Sequence, residues 1–316
     1  MIPPSGSGEF DLIARIRARV RDRGDVVVGI GDDAAVLQPP AGQQLAITTD
    51  TLNVGVHFFA ETRARDLGWK ALAVNLSDLA AMGAEPAWCT LSLSLPESDP
   101  AWLDEFIEGF LDLAGEQRIA LVGGDTTRGP LSIAVTAIGC VDAGRALRRA
   151  GACLEDDVWV SGTLGDAAAA LAPWPTPRDA LRRRLERPQP RVALGRQLVG
   201  LAHAAADVSD GLLADLGHIC RASGMGAEIW LPSLPASETL LALEANDRVA
   251  WQASGGDDYE LCFTAASSQR DAIARLAKEL DLPLTRIGRI VAGNEVVALD
   301  ALGRPWRGER NGYAHF

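Results

Sequence analysis

The feature that most restricts this chain is where its aspartates stand. They recur in six short segments rich in glycine, serine or threonine, most of them directly after an apolar run: Gly31-Asp32-Asp33, Thr48-Thr49-Asp50, Asn75-Leu76-Ser77-Asp78, Gly123-Gly124-Asp125, Asp207-Val208-Ser209-Asp210-Gly211 and Gly255-Gly256-Asp257-Asp258. A strand that ends in such a segment delivers its acid to one edge of a sheet, the usual position of a ligand site in an open α/β layer. Carboxylates gathered there repel one another. At about 4 Å and an effective dielectric of about 20, each like pair costs on the order of 4 kcal/mol. Either the acids stand apart in solvent, or divalent cations sit between them. Oxygen-only donors with hydroxyls nearby suit magnesium rather than zinc, and magnesium usually bridges carboxylates to substrate phosphates. Taken singly, a Gly-Asp segment is a turn or a solvated helix cap. Six in one chain are harder to explain that way.

Composition narrows the partners. The net charge is -12, and the only lysines are Lys70 and Lys278. Such a chain does not suit a nucleic-acid backbone, which calls for clustered cations. Cys89, Cys140, Cys153, Cys220 and Cys262 are scattered with no CxxC pair, which fits a reducing cytosol and core packing rather than a disulfide or zinc framework. Residues 1–9 lack a basic stretch followed by an apolar run, and no run of about 18 apolar residues occurs. A cytoplasmic protein with no membrane span is expected.

With 316 residues the chain has room for two domains. Helical spacing predicts helices over 9–23, 62–82 (stopped by Gly83) and 99–117, with strands at 26–30, 44–49, 89–95, 119–122 and 131–141. Polar residues 145–157 then lead to a fresh strand at 158–161, placing the boundary near 147–155. The expected architecture is α/β (α+β) in two domains, 1–148 and 149–316. Residues 173–190, rich in proline and arginine, are expected to form a surface excursion, with Arg182-Arg183-Arg184 on a solvated helix face. Residues 207–223 carry the next helix. There Asp207 and Asp210 bracket Ser209 at a helix start, as N-caps or as metal ligands beside N–H groups that a phosphate could use. Asn75 and Asp78, three apart on a nearly apolar helix, share a face and must be solvated, paired or coordinating.

Other phosphate-binding devices are missing. No glycine precedes a lysine, which removes the P-loop. Gly29-Ile30-Gly31-Asp32-Asp33-Ala34 fits the loose dinucleotide pattern G-x-G-x-x-A, but two acids would face the pyrophosphate. The protein-kinase signatures are also missing.

The ordered motifs resemble the thiamine-monophosphate kinase family nearly end to end. They are GEFDLI at 8–13, GIGDDAAVL at 29–37, TTDTLNVGVHF at 48–58, KALAVNLSDLAAMGAEP at 70–86, GGDTTRGPLS at 123–132, DVSDGLLADLGHI at 207–219 and SGGDDYELCF at 254–263. The resemblance implies an N-terminal mixed sheet with flanking helices that pairs in a homodimer, and a C-terminal α/β domain. It implies transfer of the γ-phosphoryl group of ATP to thiamine monophosphate, directly and in line, with several Mg2+ ions. It implies magnesium on Asp33, Thr48, Thr49, Asp50, Asp78, Asp125, Asp207 and Asp210. ATP contacts would come from Gly124, Asp125, Arg149 and Ser209, and acceptor contacts from His57, Asp257 and Tyr313. Arg310 stands where relatives often carry an aromatic suited to stacking on thiamine, for which Trp306 or Tyr313 could substitute. No covalent nucleophile or general base is expected.

Two other readings are open at this point. One is another ATP-using enzyme of the wider superfamily, such as aminoimidazole ribonucleotide synthetase. The other is an acidic metal-binding protein without turnover.

Overall fold

The computed structural model describes residues 9–21, 23–172, 179–243, 247–306 and 308. They fall into two units, residues 1–79 with 85–143, and 80–84 with 144–316. Among the described residues no helix is long and apolar enough to cross a membrane.

The first unit opens with α1 (Glu9–Arg17) and the short pair β1 (Val26–Val28) and β2 (Val36–Leu37). It continues with β3 (Gln43–Asn53), α2 (Ala64–Ala81), β4 (Glu85–Leu95), α3 (Pro100–Gln117), β5 (Ala120–Arg128) and β6 (Ser132–Asp142). The last two residues of α2 count with the second unit. Strands β3–β6 form one mixed sheet in the order β3-β6-β4-β5, with only the β4–β5 pair parallel. Alternation puts Cys89, Leu91, Leu93 and Leu95 of β4 and Ile133, Val135 and Ala137 of β6 on the core side, all buried. Helix α2 is buried almost all round, as an apolar helix must be. It crosses α3 at backbone distance. A Cβ on Gly68 would stand 2.0 Å from the Phe106 carbonyl oxygen, and one on Gly109 would stand 1.8 Å from that of Arg65. Asp99 caps α3, accepting the N–H groups of Ala101 and Trp102. Gly83, at φ 67°, follows the end of α2, where a left-handed residue stops a helix.

Two strands are longer than the sequence predicts, and this moves two acids. Strand β3 continues through Asp50 to Asn53, and β5 continues through Gly123-Gly124-Asp125 to Arg128. Both acids therefore lie within a strand, not beyond its end. Each run carries on because its partner does: β3 keeps its pairing with β6 down to Asn53↔Ser132, and β5 keeps its pairing with β4 down to Arg128↔Leu95. Gly124 is forced, since it has φ 153° and a Cβ there would stand 1.8 Å from the Leu91 carbonyl oxygen.

The second unit has β7 (Asp157–Ser161), α4 (Asp166–Leu171), α5 (Asp179–Glu186), α6 (Val192–Leu198), β8 (Ala204–Val208), α7 (Leu212–Ser223) and β9 (Gly226–Trp230). It ends with α8 (Glu238–Leu241), α9 (Arg248–Ser254), β10 (Glu260–Ala265), α10 (Arg270–Glu279), β11 (Leu284–Val291) and β12 (Val296–Leu299). Its six strands run β12-β9-β11-β7-β10-β8, antiparallel except β12–β9. Leu212, Leu216 and Ile219 of α7 share one buried cluster with Val158, Val160, Ala206, Val208, Ile229 and Ile290.

The arginine run is not wholly a solvated face. Helix α5 buries Leu181 and Leu185, and the Arg184 guanidinium donates to wholly buried Glu260 at 2.8 Å. Arg191 donates to both oxygens of the same carboxylate, and the Ser161 hydroxyl donates to it at 2.6 Å. No local pattern shows that one buried acid, 76 residues on, takes up an arginine of this run. Removing Glu260 leaves two guanidinium groups facing each other in a poorly solvated place. We expect Glu260→Ala to lower unfolding stability in urea by about 3 kcal/mol. An unchanged midpoint would contradict the assignment.

Candidate functional site

In the first unit the polar residues of α2 are paired with strand β3. The Thr48 hydroxyl donates to Asp78 Oδ2, and the Asp50 backbone N–H donates to Asn75 Oδ1 at 3.0 Å. Asn75 is buried and its amide also donates to the Ala71 carbonyl at 3.1 Å, so its orientation is fixed. The three-residue spacing read from the sequence thus lays Asn75 and Asp78 along β3. Thr48, Asp50 and Asp78 offer only oxygen donors, a set matched to a hard cation such as Mg2+. Thr49 alternates to the opposite face, where its hydroxyl donates to the Val135 carbonyl at 3.0 Å and meets the Thr136 hydroxyl.

Asp125 is on the far edge strand. Asp50 is level with Val135, Leu91 and Gly124 across the sheet, and Asp125 is one residue further along. Three strand spacings separate the two edge strands, about 14 Å. Asp125 is exposed, as is Asp33 in the turn after β1. The Asp33 N–H donates to Asp32 Oδ1. His57 accepts the Asn53 N–H on Nδ1 at 3.0 Å, and its own carbonyl accepts Lys70. That bond leaves the ring proton of the neutral imidazole on Nε2.

In the second unit two loops are laced together by backbone contacts. Asp207 is buried near the end of β8 and Ser209 and Asp210 follow it. The Tyr259 N–H donates to the Val208 carbonyl and the Asp257 N–H to the Ser209 carbonyl, both at 2.8 Å. A Cβ on Gly256 would stand 2.5 Å from the Ser209 carbonyl oxygen, and one on Gly211 would stand 2.6 Å from that of Ser254. Asp257 and Tyr259 both hold positive φ, 66° and 50°, and the Tyr259 hydroxyl donates to Asp257 Oδ1 at 3.0 Å. Non-glycine residues in this region are strained and cluster at functional sites. Next to them, buried Asp258 accepts the Gly165 N–H with both oxygens, and burial holds its carboxyl well above the usual range.

The capping expected of Asp207 and Asp210 is done by a residue the sequence reading missed. Helix α7 starts after Gly211, with no side-chain cap from that residue. Asp215 Oδ2 accepts the N–H groups of Ser209 (3.0 Å), Asp210 (3.1 Å) and Gly211 (3.1 Å). Its only sequence signal is an acid four residues past Gly211, in the first turn of the helix. Burial, then the Asp210 charge, push Asp215 up to about 7. His218 is pushed down by burial and then by the Arg149 and Arg221 charges, and the exposed Arg149 is tied to the end of α7 by the Ser223 hydroxyl, which donates to its carbonyl at 3.3 Å.

Trp306 packs against the core of the second unit. Arg310 and Tyr313 lie outside the described residues.

The chain is similar to known proteins over nearly its whole length. Residues 31–141 match the AIR synthase related protein N-terminal domain, and residues 155–300 match the C-terminal domain of that family. The thiamine-monophosphate kinase of Escherichia coli (strain K12) is 48% identical over 319 residues, covering 98% of each chain. A crystal structure of thiamine-monophosphate kinase from Stenotrophomonas maltophilia K279a superposes with a TM-score of 0.86 at 59% identity, covering 92% of this chain and 96% of that one. A structure described as AaThiL complexed with AMPPCP and TMP gives a TM-score of 0.78 at 33% identity, covering 98% and 97%.

Asp215 generates a prediction with a definite sign. Its folded pKa of about 7 exceeds its ordinary 3.8. Between those values the folded state holds more protons, so stability falls as pH rises from about 4 to about 7. Asp215→Asn, which keeps an accepting oxygen, removes that contribution. In metal-free buffer the stability difference, variant minus wild type, should grow across this range. A difference independent of pH would contradict it.

Proposed function

The chain belongs to the thiamine-monophosphate kinases of the AIR synthase related family, and from that premise we infer that it transfers the γ-phosphoryl group of ATP to the phosphate of thiamine monophosphate. The observation that carries this reading is the 48% identity to a thiamine-monophosphate kinase over 98% of each chain.

We propose that Asp33, Thr48, Asp50, Asp78 and Asp125 in the first unit, and Asp207 and Asp210 in the second, hold Mg2+, while the Thr49 side chain, on the opposite face of β3, stays on Val135 and Thr136. The donor set supports this, being oxygen throughout. When bound, Mg2+ neutralises charge on the transferring phosphoryl group. The remaining work belongs to positioning. The acceptor's phosphate oxygen is already largely anionic at neutral pH, so no side chain has to remove a proton, and none of the residues named is assigned as a base. Gly124, Asp125, Arg149 and Ser209 bind ATP, the Arg149 guanidinium acting as a charge-assisted donor to phosphate. His57 presents its Nε2 proton to the acceptor phosphate. Asp257, steadied by the Tyr259 hydroxyl, offers an anion to the cationic thiazolium, and Tyr313 contributes to the same subsite. The chain works in the cytoplasm as a homodimer through the outer face of the first sheet. Support for the dimer is that Leu45 and Ile47 on that face are 46% and 64% exposed.

The test is incubation with ATP, Mg2+ and thiamine monophosphate, with thiamine diphosphate followed by chromatography. We expect Asp125→Asn to lower the rate by about 100-fold, the equivalent of about 3 kcal/mol of transition-state stabilisation, and a chelator to abolish product. Full activity in Asp125→Asn would overturn the role given to that residue.

A further inference from the structure

A second group of metal-ligating side chains stands in the second unit, built on segments that carry none of the acids assigned above. Cys153, Asp156 and His203 each bring one donor atom to within 4.8 Å of the other two. The three donors are a sulfur, a carboxylate oxygen and an imidazole nitrogen. Asp156 is only 3% exposed, while Cys153 and His203 reach solvent. Asp156 Oδ2 lies 2.8 Å from His203 Nδ1 and accepts the Cys153 backbone N–H at 2.8 Å.

Both segments are held by the backbone. The Asp156 N–H donates to the Cys153 carbonyl, the Ile290 N–H to the Asp156 carbonyl, and the His203 N–H to the Thr264 carbonyl. A Cβ on Gly151 would stand 2.5 Å from the His203 carbonyl oxygen, so the 151–156 loop is pressed onto the residue that precedes β8. An Asp–His hydrogen bond alone would account for the clamp. It does not account for a solvent-reaching thiol as third member, where the other four cysteines are buried.

We propose that Cys153, Asp156 and His203 form a site for a thiophilic divalent cation such as Zn2+, separate from the kinase chemistry. Thiolate and imidazole donors select such an ion over magnesium. Three protein ligands leave one tetrahedral position to water. Donors around tetrahedral zinc stand about 3.4–3.6 Å apart, given bonds of about 2.0–2.3 Å. The Asp156–His203 pair now shares a proton at 2.8 Å and opens by about 0.6–0.8 Å when the cation replaces it. The Cys153 side chain is exposed and closes the rest by rotation. The bound ion would tie the chain before β7 to the start of β8.

The test is a Co2+ titration of the full chain in excess Mg2+, which fills oxygen-only sites, followed in the near ultraviolet for the thiolate-to-cobalt charge-transfer band. The band should saturate at one equivalent, disappear on adding Zn2+ and be absent in Cys153→Ser. His203→Ala should weaken binding by tenfold or more. The urea midpoint of each variant, measured without metal, checks that it folds before its binding is read. No band in the wild type, a band that survives Cys153→Ser, or unchanged affinity in His203→Ala would each overturn the site. None of these readouts uses kinase activity, so the result is independent of the function inferred above.

Discussion

Concentrated negative charge has to be held still before it can bind anything, and this chain does so almost without lysine. Asp78 and Asp50 of the candidate site, and the loop of Ser209 and Asp210, are fixed by hydroxyl, amide and backbone N–H groups. Such partners set direction without supplying a full opposite charge, so the carboxylates keep their affinity for cations. In the first unit the fixing comes from α2, whose Asn75 and Asp78 reach β3. In the second it comes from Asp215, where one carboxylate oxygen gathers three successive N–H groups and shapes the loop that carries Ser209 and Asp210.

The two units solve the same problem at different cost. A helix laid on a strand needs only favourable spacing, and Asn75 and Asp78 sit in ordinary helical backbone. The 207–211 and 254–259 loops instead meet backbone to backbone, which excludes a Cβ at Gly211 and Gly256 and puts Asp257 and Tyr259 in left-handed conformations. Strain of on the order of 1–3 kcal/mol per residue persists only where the surroundings over-determine it. The surroundings here include buried Asp258 on the Gly165 N–H and the Glu260 network two residues further on.

Much of this was legible in the sequence because it is local. Apolar spacing located α2 and α3, the runs at 44–49 and 131–141 located β3 and β6, and the Asn75–Asp78 interval foretold a shared polar face. What was not legible depends on partners distant in sequence. Nothing near Asp50 or Asp125 says that the neighbouring strand continues, so both acids were expected at strand ends and lie within strands instead. Ser209-Asp210-Gly211 reads as a self-capping start, whereas the cap comes from the next turn of the helix. Arg184 reads as a surface charge until Glu260 is placed beside it. Exposed Cys153 looked like four buried cysteines, because a lone thiol in a sequence carries no sign of its neighbours.

The acceptor in this chemistry is the phosphate of thiamine monophosphate and not water. Phosphorus NMR of one reaction with ATP, Mg2+ and thiamine monophosphate tests this most directly, since every phosphorus-containing product is seen at once. ADP and thiamine diphosphate should appear in equal amounts, with no inorganic phosphate and no further phosphorylated species. ADP formed together with inorganic phosphate, while thiamine monophosphate stays unchanged, would contradict it.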